Sequence, residues 1–132
     1  MNMKLDIHDA LPLELQRIAE LTQRTNKCTN GKRYTLVQLK TMITSTYYKL
    51  YTMCLSDKFS NLGIAGAVGM TKEKVDLFSL SCRALGRQIE NRIIEFICGL
   101  GINQISFHCT MKNSAFRDLL ETSGFICIRI KP

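Results

Sequence analysis

Asp76-Leu-Phe-Ser-Leu-Ser-Cys-Arg-Ala-Leu-Gly-Arg-Gln-Ile-Glu-Asn-Arg-Ile-Ile-Glu-Phe-Ile97 is the stretch on which the fold turns. Its first third has the apolar and β-prone content of a strand, and the pattern predicts one over 75–82. A short loop with a single glycine, Gly86, follows. Ile89, Ile93, Phe96, Ile97 and Leu100 then recur at three and four residues, the stripe of an amphipathic helix. Strand, glycine-bearing turn and helix together aim backbone N–H groups at one point, where the helix dipole favours an anion.

Outward from that junction the chain divides into short elements. Lys4-Leu-Asp-Ile-His8 alternates as a brief strand, and Asp9 is placed to cap a helix with Pro12 in its first turn. Leu11, Leu15, Ile18 and Thr22 mark that helix's buried face, and residues 25–31 read as a polar loop. Thr35 and Gln38 have capping-box spacing ahead of a second helix that carries Leu36, Leu39 and Ile43. Residues 47–55 read as a strand buried on both faces. Residues 62–70 are apolar but glycine-rich; interior glycines disfavour a helix, so a strand with close neighbours or a bulge is expected.

After the central helix, Gly99 and Gly101 supply a stop. Residues 104–109 alternate as a strand. Asn113 or Ser114 caps a last helix with Phe116, Leu119 and Leu120 inward and Gly124 at its end, and residues 125–130 form a final strand. The order is β-α-α-β-β-β-α-β-α-β, an α/β (α+β) chain with one mixed sheet and helices on both faces. The middle three strands, joined by short loops, should be antiparallel; the later ones, joined through helices, should be parallel. The 132 residues, with no repeat or linker, fit one domain over 1–132.

Composition narrows the partners. The formal net charge is +7, which suits a polyanion: a phosphorylated cofactor, an acidic carrier protein or nucleic acid. Lys and Arg are scattered rather than massed in one block, Trp is absent and the tyrosines cluster near apolar neighbours, so nucleic acid ranks last. Six cysteines occur without C-x-x-C or any other zinc-site spacing, so no metal is expected. No run approaches a bilayer span and no signal-peptide core is present, which together suggest a reduced, cytoplasmic protein with no membrane partner.

This element order, with Arg83-Ala-Leu-Gly86-Arg-Gln88 at the junction, resembles the GCN5-related N-acetyltransferase (GNAT) fold. That family's motif is Gln or Arg, two residues, Gly, one residue, then Gly or Ala. Arg83 and Gly86 match it, and Gln88 stands where it has a small residue. Arg17-Ile-Ala-Glu-Leu-Thr-Gln-Arg-Thr-Asn26, Arg33-Tyr-Thr35, Leu80-Ser-Cys-Arg-Ala-Leu-Gly-Arg87, Lys112-Asn-Ser-Ala-Phe-Arg-Asp118 and Gly124-Phe125 further resemble the C-terminal domain of FkbH-like proteins. There a haloacid-dehalogenase-type phosphatase domain precedes the acetyltransferase-like domain. Its D-x-D motif is absent here, so this chain is an excised domain or a stand-alone relative.

The resemblance implies acetyl-CoA, coenzyme A or a phosphopantetheine arm as the ligand, bound by Leu80, Ser81, Cys82, Arg83, Ala84, Leu85, Gly86, Arg87 and Gln88, with Asn113 on the cofactor arm. It implies acyl or glyceryl transfer, or a non-catalytic module that docks an acyl carrier protein beside a phosphatase domain. A solvated strand-to-helix turn remains the alternative for the junction. The catalytic acid is unassigned: where the family has a tyrosine, this chain has Leu120, which cannot donate a proton. His108 and Cys109 are the candidates left near the arm, and strand alternation would point them to opposite sides. His8 reads as a surface residue, and no carboxylates are paired by sequence. The family closes with a hairpin after the last helix. This chain stops after one strand, so a homodimer through the incomplete sheet edge is expected.

Overall fold

The computed structural model describes residues 3–81 and 88–130. Its elements are β1 (Lys4–Asp9), a 3-10 turn (Pro12–Glu14), α1 (Leu15–Arg24), β2 (Cys28–Thr29), α2 (Leu36–Met42), β3 (Lys49–Ser56), β4 (Asn61–Met70), β5 (Val75–Leu80), α3 (Ile89–Gly99), β6 (Gln104–Phe107), α4 (Ser114–Thr122) and β7 (Ile126–Arg129). One sheet of seven strands runs β1-β3-β4-β5-β6-β7, with β2 added against β5. β1, β3, β4 and β5 pair antiparallel, whereas β5–β6 and β6–β7 are parallel. The two parallel links are the ones bridged by α3 and α4, as crossover connections require.

Two apolar clusters sandwich this sheet. Leu15, Ile18 and Ala19 of α1 and Leu39 of α2 pack on Leu50, Ala67 and Leu77. Ile89, Ile93 and Ile97 of α3 and Phe116 and Leu120 of α4 pack with Phe78, Leu80, Ile105 and Phe107. Phe116 bridges the strands on its side, with ring centroids 4.7 Å from Phe78 and 6.2 Å from Phe107. Helices therefore cover both faces, as the residue pattern predicts. Among the described residues, no helix is long and apolar enough to cross a membrane, and no disulfide joins the cysteines.

The glycine-rich strand is explained by its neighbours. A Cβ on Gly66 would lie 2.3 Å from the Ser79 carbonyl oxygen, and one on Gly69 would lie 2.1 Å from the Tyr48 hydroxyl. The register between β3 and β4 also shifts at Met53/Cys54 and Leu55/Ser56. Both the close approach and the bulge are present.

Several boundaries differ from the sequence expectation. Asp9 is not a helix cap: it pairs with Tyr51 as the last residue of β1, and Ala10 N extends the ladder to Leu50 O. The cap is Leu11, whose N–H donates to the Glu14 carboxylate at 2.9 Å; its own side chain is about half exposed rather than inward. Asn113 precedes α4 but makes no side-chain cap, because its amide is used elsewhere. Leu100 lies past the end of α3 and is exposed, while Ile94 is buried in its place. The loop expected over 25–31 contains a strand, β2, which sits where the sheet divides.

Candidate active site at the ends of β5 and β6

In open parallel sheets, ligands lodge at the carboxyl ends of strands where neighbours part. β5 and β6 meet this condition. They are in register at Val75 and Ile105 and then separate. The chain fills the gap with its own backbone. Cys28 pairs with Leu80 and Thr29 with Ser79.

Asn30, fully buried, completes the seam between the two strands. Its N–H donates to Phe78 O at 3.0 Å, and its carbonyl accepts from His108 N at 2.9 Å. Its amide side chain does the same again. Oδ1 accepts from Phe78 N at 3.0 Å, and Nδ2 donates to Asp76 O at 2.6 Å and Ser106 O at 2.8 Å. Gly31 then turns the chain away at φ 89°; a Cβ there would lie 2.8 Å from both the Cβ and carbonyl oxygen of His108.

Asn113 fastens the other side. It is buried, its Oδ1 accepts from Thr110 N at 2.7 Å, and its Nδ2 donates to His108 O at 2.9 Å and Thr29 O at 3.2 Å. The two asparagines together satisfy the backbone groups that the parting strands leave unpaired. Sequence reasoning missed Asn30 altogether, because Thr-Asn-Gly is an ordinary turn signal. Its partners lie 46 and 76 residues away.

The loop that carries Asn30 is also pinned on the opposite face. Asp76 Oδ2 accepts from the hydroxyls of Tyr34 and Tyr48, each at 2.8 Å, and Lys32 Nζ lies 3.6 Å from Oδ1. Burial, reinforced by the Asp76 charge, pushes both phenols far above their ordinary range, so they remain donors. Arg33 closes the C-terminal end of α1, donating to Thr22 O and Gln23 O and to Asn26 Oδ1.

Two clefts flank the end of β6. One, of about 440 Å³, is lined by Asn26, Thr29, Gly31, Arg33, His108, Thr110, Met111, Lys112 and Asn113. The other, of about 370 Å³, is lined by Phe107, His108, Cys109, Arg117, Cys127, Arg129 and Ile130. His108 is common to both. β6 ends at Phe107, so strand alternation does not govern His108 and Cys109, and both line the second cleft. Cys109 Sγ lies 3.9 Å from Arg117 Nη1. Burial, more than the nearby Glu121, pushes the Cys127 thiol up.

The ligand-binding residues named from sequence fall into three places. Leu80 is fully buried in the sheet core, and Ser81 donates its N–H to Ala65 O at 2.7 Å. Cys82, Arg83, Ala84, Leu85, Gly86 and Arg87 lie outside the described residues. Gln88 precedes α3 in the left-handed region, φ 59° and ψ 18°, and offers no side-chain cap to the helix. Asn113 borders the first cleft, with its amide bonded inside the protein.

His8 is partly exposed at the surface, as expected, and is also held between two carboxylates. His8 Nδ1 meets Asp6 Oδ2 at 2.5 Å, and Nε2 meets both Glu14 oxygens at 3.0 Å. The fold thus brings together two carboxylates that the sequence leaves dispersed.

No protein-family model matches this sequence, and no curated protein does. Solved structures do match. A transcriptional regulator from Bacillus halodurans C-125 superposes with a TM-score of 0.67 at 15% identity, covering 98% of this chain and 97% of that one. Glucosamine-6-phosphate N-acetyltransferase from Arabidopsis thaliana gives 0.57 at 14% identity, over 98% and 96%. AAC(6')-Iy, solved with a CoA-linked bisubstrate analogue, gives 0.57 at 11% identity, over 98% and 95%. The seven-stranded mixed sheet with four helices is the GNAT fold. At these identities the likeness establishes architecture alone.

Proposed function

We propose that this chain binds the phosphopantetheine arm of coenzyme A, or of an acyl carrier protein, beside the ends of β5 and β6 and assists acyl transfer. The observation that carries the reading is the end-to-end likeness to acetyltransferase structures, one of them holding a CoA-linked analogue. The chain's own residues add support. The R-x-x-G motif falls between the end of β5 and the start of α3. Gln88, at the N-cap of α3, places no side-chain hydrogen bond on the helix's first turn, where free N–H groups favour an anion. Arg33 and Lys112 give the adjoining cleft its positive charge.

Acyl transfer from a thioester requires a base for the acceptor and an acid for the leaving thiolate. Leu120 is fully buried and supplies neither. His108, exposed and common to both clefts, is the residue best placed to move a proton.

A second reading has its own support. The gap between β5 and β6 is occupied by β2 and Asn30, and Leu120 replaces the family's tyrosine. Both favour a non-catalytic module that docks an acidic carrier protein beside a phosphatase domain, with the net charge of +7 steering the encounter. Calorimetry with acetyl-CoA and with a pantetheinylated carrier separates the two. Acetyl-CoA binding that Gly86→Glu abolishes is expected of the first reading. Carrier binding without acetyl-CoA binding selects the second, and the absence of both overturns the proposal.

A further inference from the structure

The β1–β3 end of the sheet carries an arrangement of donors that neither acyl transfer nor carrier docking uses. β1 and β3 are antiparallel with Asp6 opposite Cys54 and His8 opposite Thr52, so these four residues share one face. The 3-10 turn lays Glu14 across them. Its carboxylate accepts from Leu11 N and Thr52 Oγ1, each at 2.9 Å, and meets His8 Nε2 at 3.0 Å. One ligating atom from each of His8, Glu14 and Cys54 lies within 4.8 Å of the other two.

We propose that His8 Nε2, a Glu14 oxygen and Cys54 Sγ bind a divalent ion of the zinc class, with Asp6 orienting the imidazole from behind. Three features carry this. First, the donor set is nitrogen, oxygen and sulfur, which selects zinc(II) or cobalt(II) over magnesium or calcium. Second, a tetrahedral ion with bonds of roughly 2.0–2.3 Å needs donors about 3.3–3.8 Å apart, within the observed spread. Third, the Asp6–His8 contact at 2.5 Å is the carboxylate–histidine pair that fixes a ligating imidazole, with Nδ1 held and Nε2 turned to the ion.

Rigidity and access are also in place. The ligands come from two paired strands and a turn tied to both. His8 keeps 32% of its side chain exposed, which gives an ion a route in from solvent. Three protein ligands leave one coordination position for water or another small ligand.

Without an ion, both imidazole nitrogens face carboxylates, Nδ1 at Asp6 and Nε2 at Glu14. Burial, and then the Glu14 and Asp6 charges, push the Cys54 thiol up. Binding forms the N–, O– and S–metal bonds and releases the Cys54 Sγ proton, with any proton carried on His8 Nε2, to solvent. No electrons move.

The test uses the full chain, stripped with a chelator and titrated with cobalt(II) and zinc(II) alone. A thiolate-to-cobalt charge-transfer band saturating at one ion per chain is expected. It should be absent in Cys54→Ser and retained in Cys109→Ser, and zinc(II) should bleach it. Asp6→Asn should weaken binding roughly 10–100-fold, since it loosens a ligand rather than removing one. Zinc(II) should raise the melting temperature of the parent chain and leave that of His8→Gln unchanged. No band, a band that survives in Cys54→Ser, or equal zinc stabilisation of His8→Gln would each overturn the site. Circular dichroism confirms that each variant is folded before it is compared. Acetyl-CoA affinity plays no part in these readouts, so they stand apart from the acyl-transfer reading.

Discussion

Asn30 carries more than its size suggests. Its side chain and main chain together replace a stretch of ladder between β5 and β6, and each partner is a backbone group. Asn30→Ala strands the Asp76 and Ser106 carbonyls and the Phe78 N–H, and at 1–3 kcal/mol for a buried orphan the loss should reach about 3 kcal/mol. Urea denaturation of the two chains measures it. His8 and Glu14 give a second prediction. The hydrogen bond to Asp6, then that to Glu14, raises the His8 pKa above its ordinary 6.5. Its contribution to stability is full below 6.5 and is lost as pH rises through the raised value. For Glu14, burial acts upward, but the donors from Leu11, His8 and Thr52 outweigh it and the net shift is below 4.5. That contribution is full above 4.5 and is lost as pH falls through the lowered value. The stability difference between the parent and His8→Gln should peak between the two and shrink on either side, as melts across pH will show. Neither residue announces its role in sequence. Periodicity reports faces of elements, whereas these groupings come from strands and turns meeting across the fold.

Elements whose burial follows a simple period were the legible part. The Ile89, Ile93 and Ile97 stripe, the capping box of α2 and the mixed parallel–antiparallel order all follow from local pattern and connection length. Thr35 Oγ1 accepts from Gln38 N at 3.2 Å while Gln38 Oε1 accepts from Thr35 N at 2.8 Å. Thr35→Ala should therefore cost about 1 kcal/mol by chemical denaturation. β4 was readable for a different reason. Its glycines rule out a helix and mark crowding, and the crowding is there. Gly66→Ala forces a methyl against the fixed Ser79 carbonyl, and the resulting shift of β4 from β5 should cost about 2–3 kcal/mol. Gly63→Ala, with nothing within 4 Å but a φ of 78°, probes backbone strain alone and should cost less. β2 escaped detection because two residues have no period. Its assignment depends wholly on the β5 edge that it meets.

At the scale of the molecule, the charge of +7 and the clefts beside β6 direct the acyl-transfer proposal, and the outer edge of β7 directs another. β7 pairs only with β6 among the described residues. A homodimer through this edge would double the 15.0 kDa mass in light scattering. Ile126 and Ile130 donate inward, to Asn103 and Phe107, so Arg129→Pro removes an outward donor and should return the monomer. A single mass of 15.0 kDa across concentrations would end that expectation. The seam at Asn30 has a last implication, for the order in which the chain matures. The piece that stitches β5 to β6 is made early, yet the carbonyl it clasps at Ser106 leaves the ribosome 76 residues later. The segment that carries Asn30 must wait, unclasped, until Ser106 has emerged. Final locking of this sheet thus waits for residue 106, and truncation before it should leave a partly assembled, protease-sensitive chain.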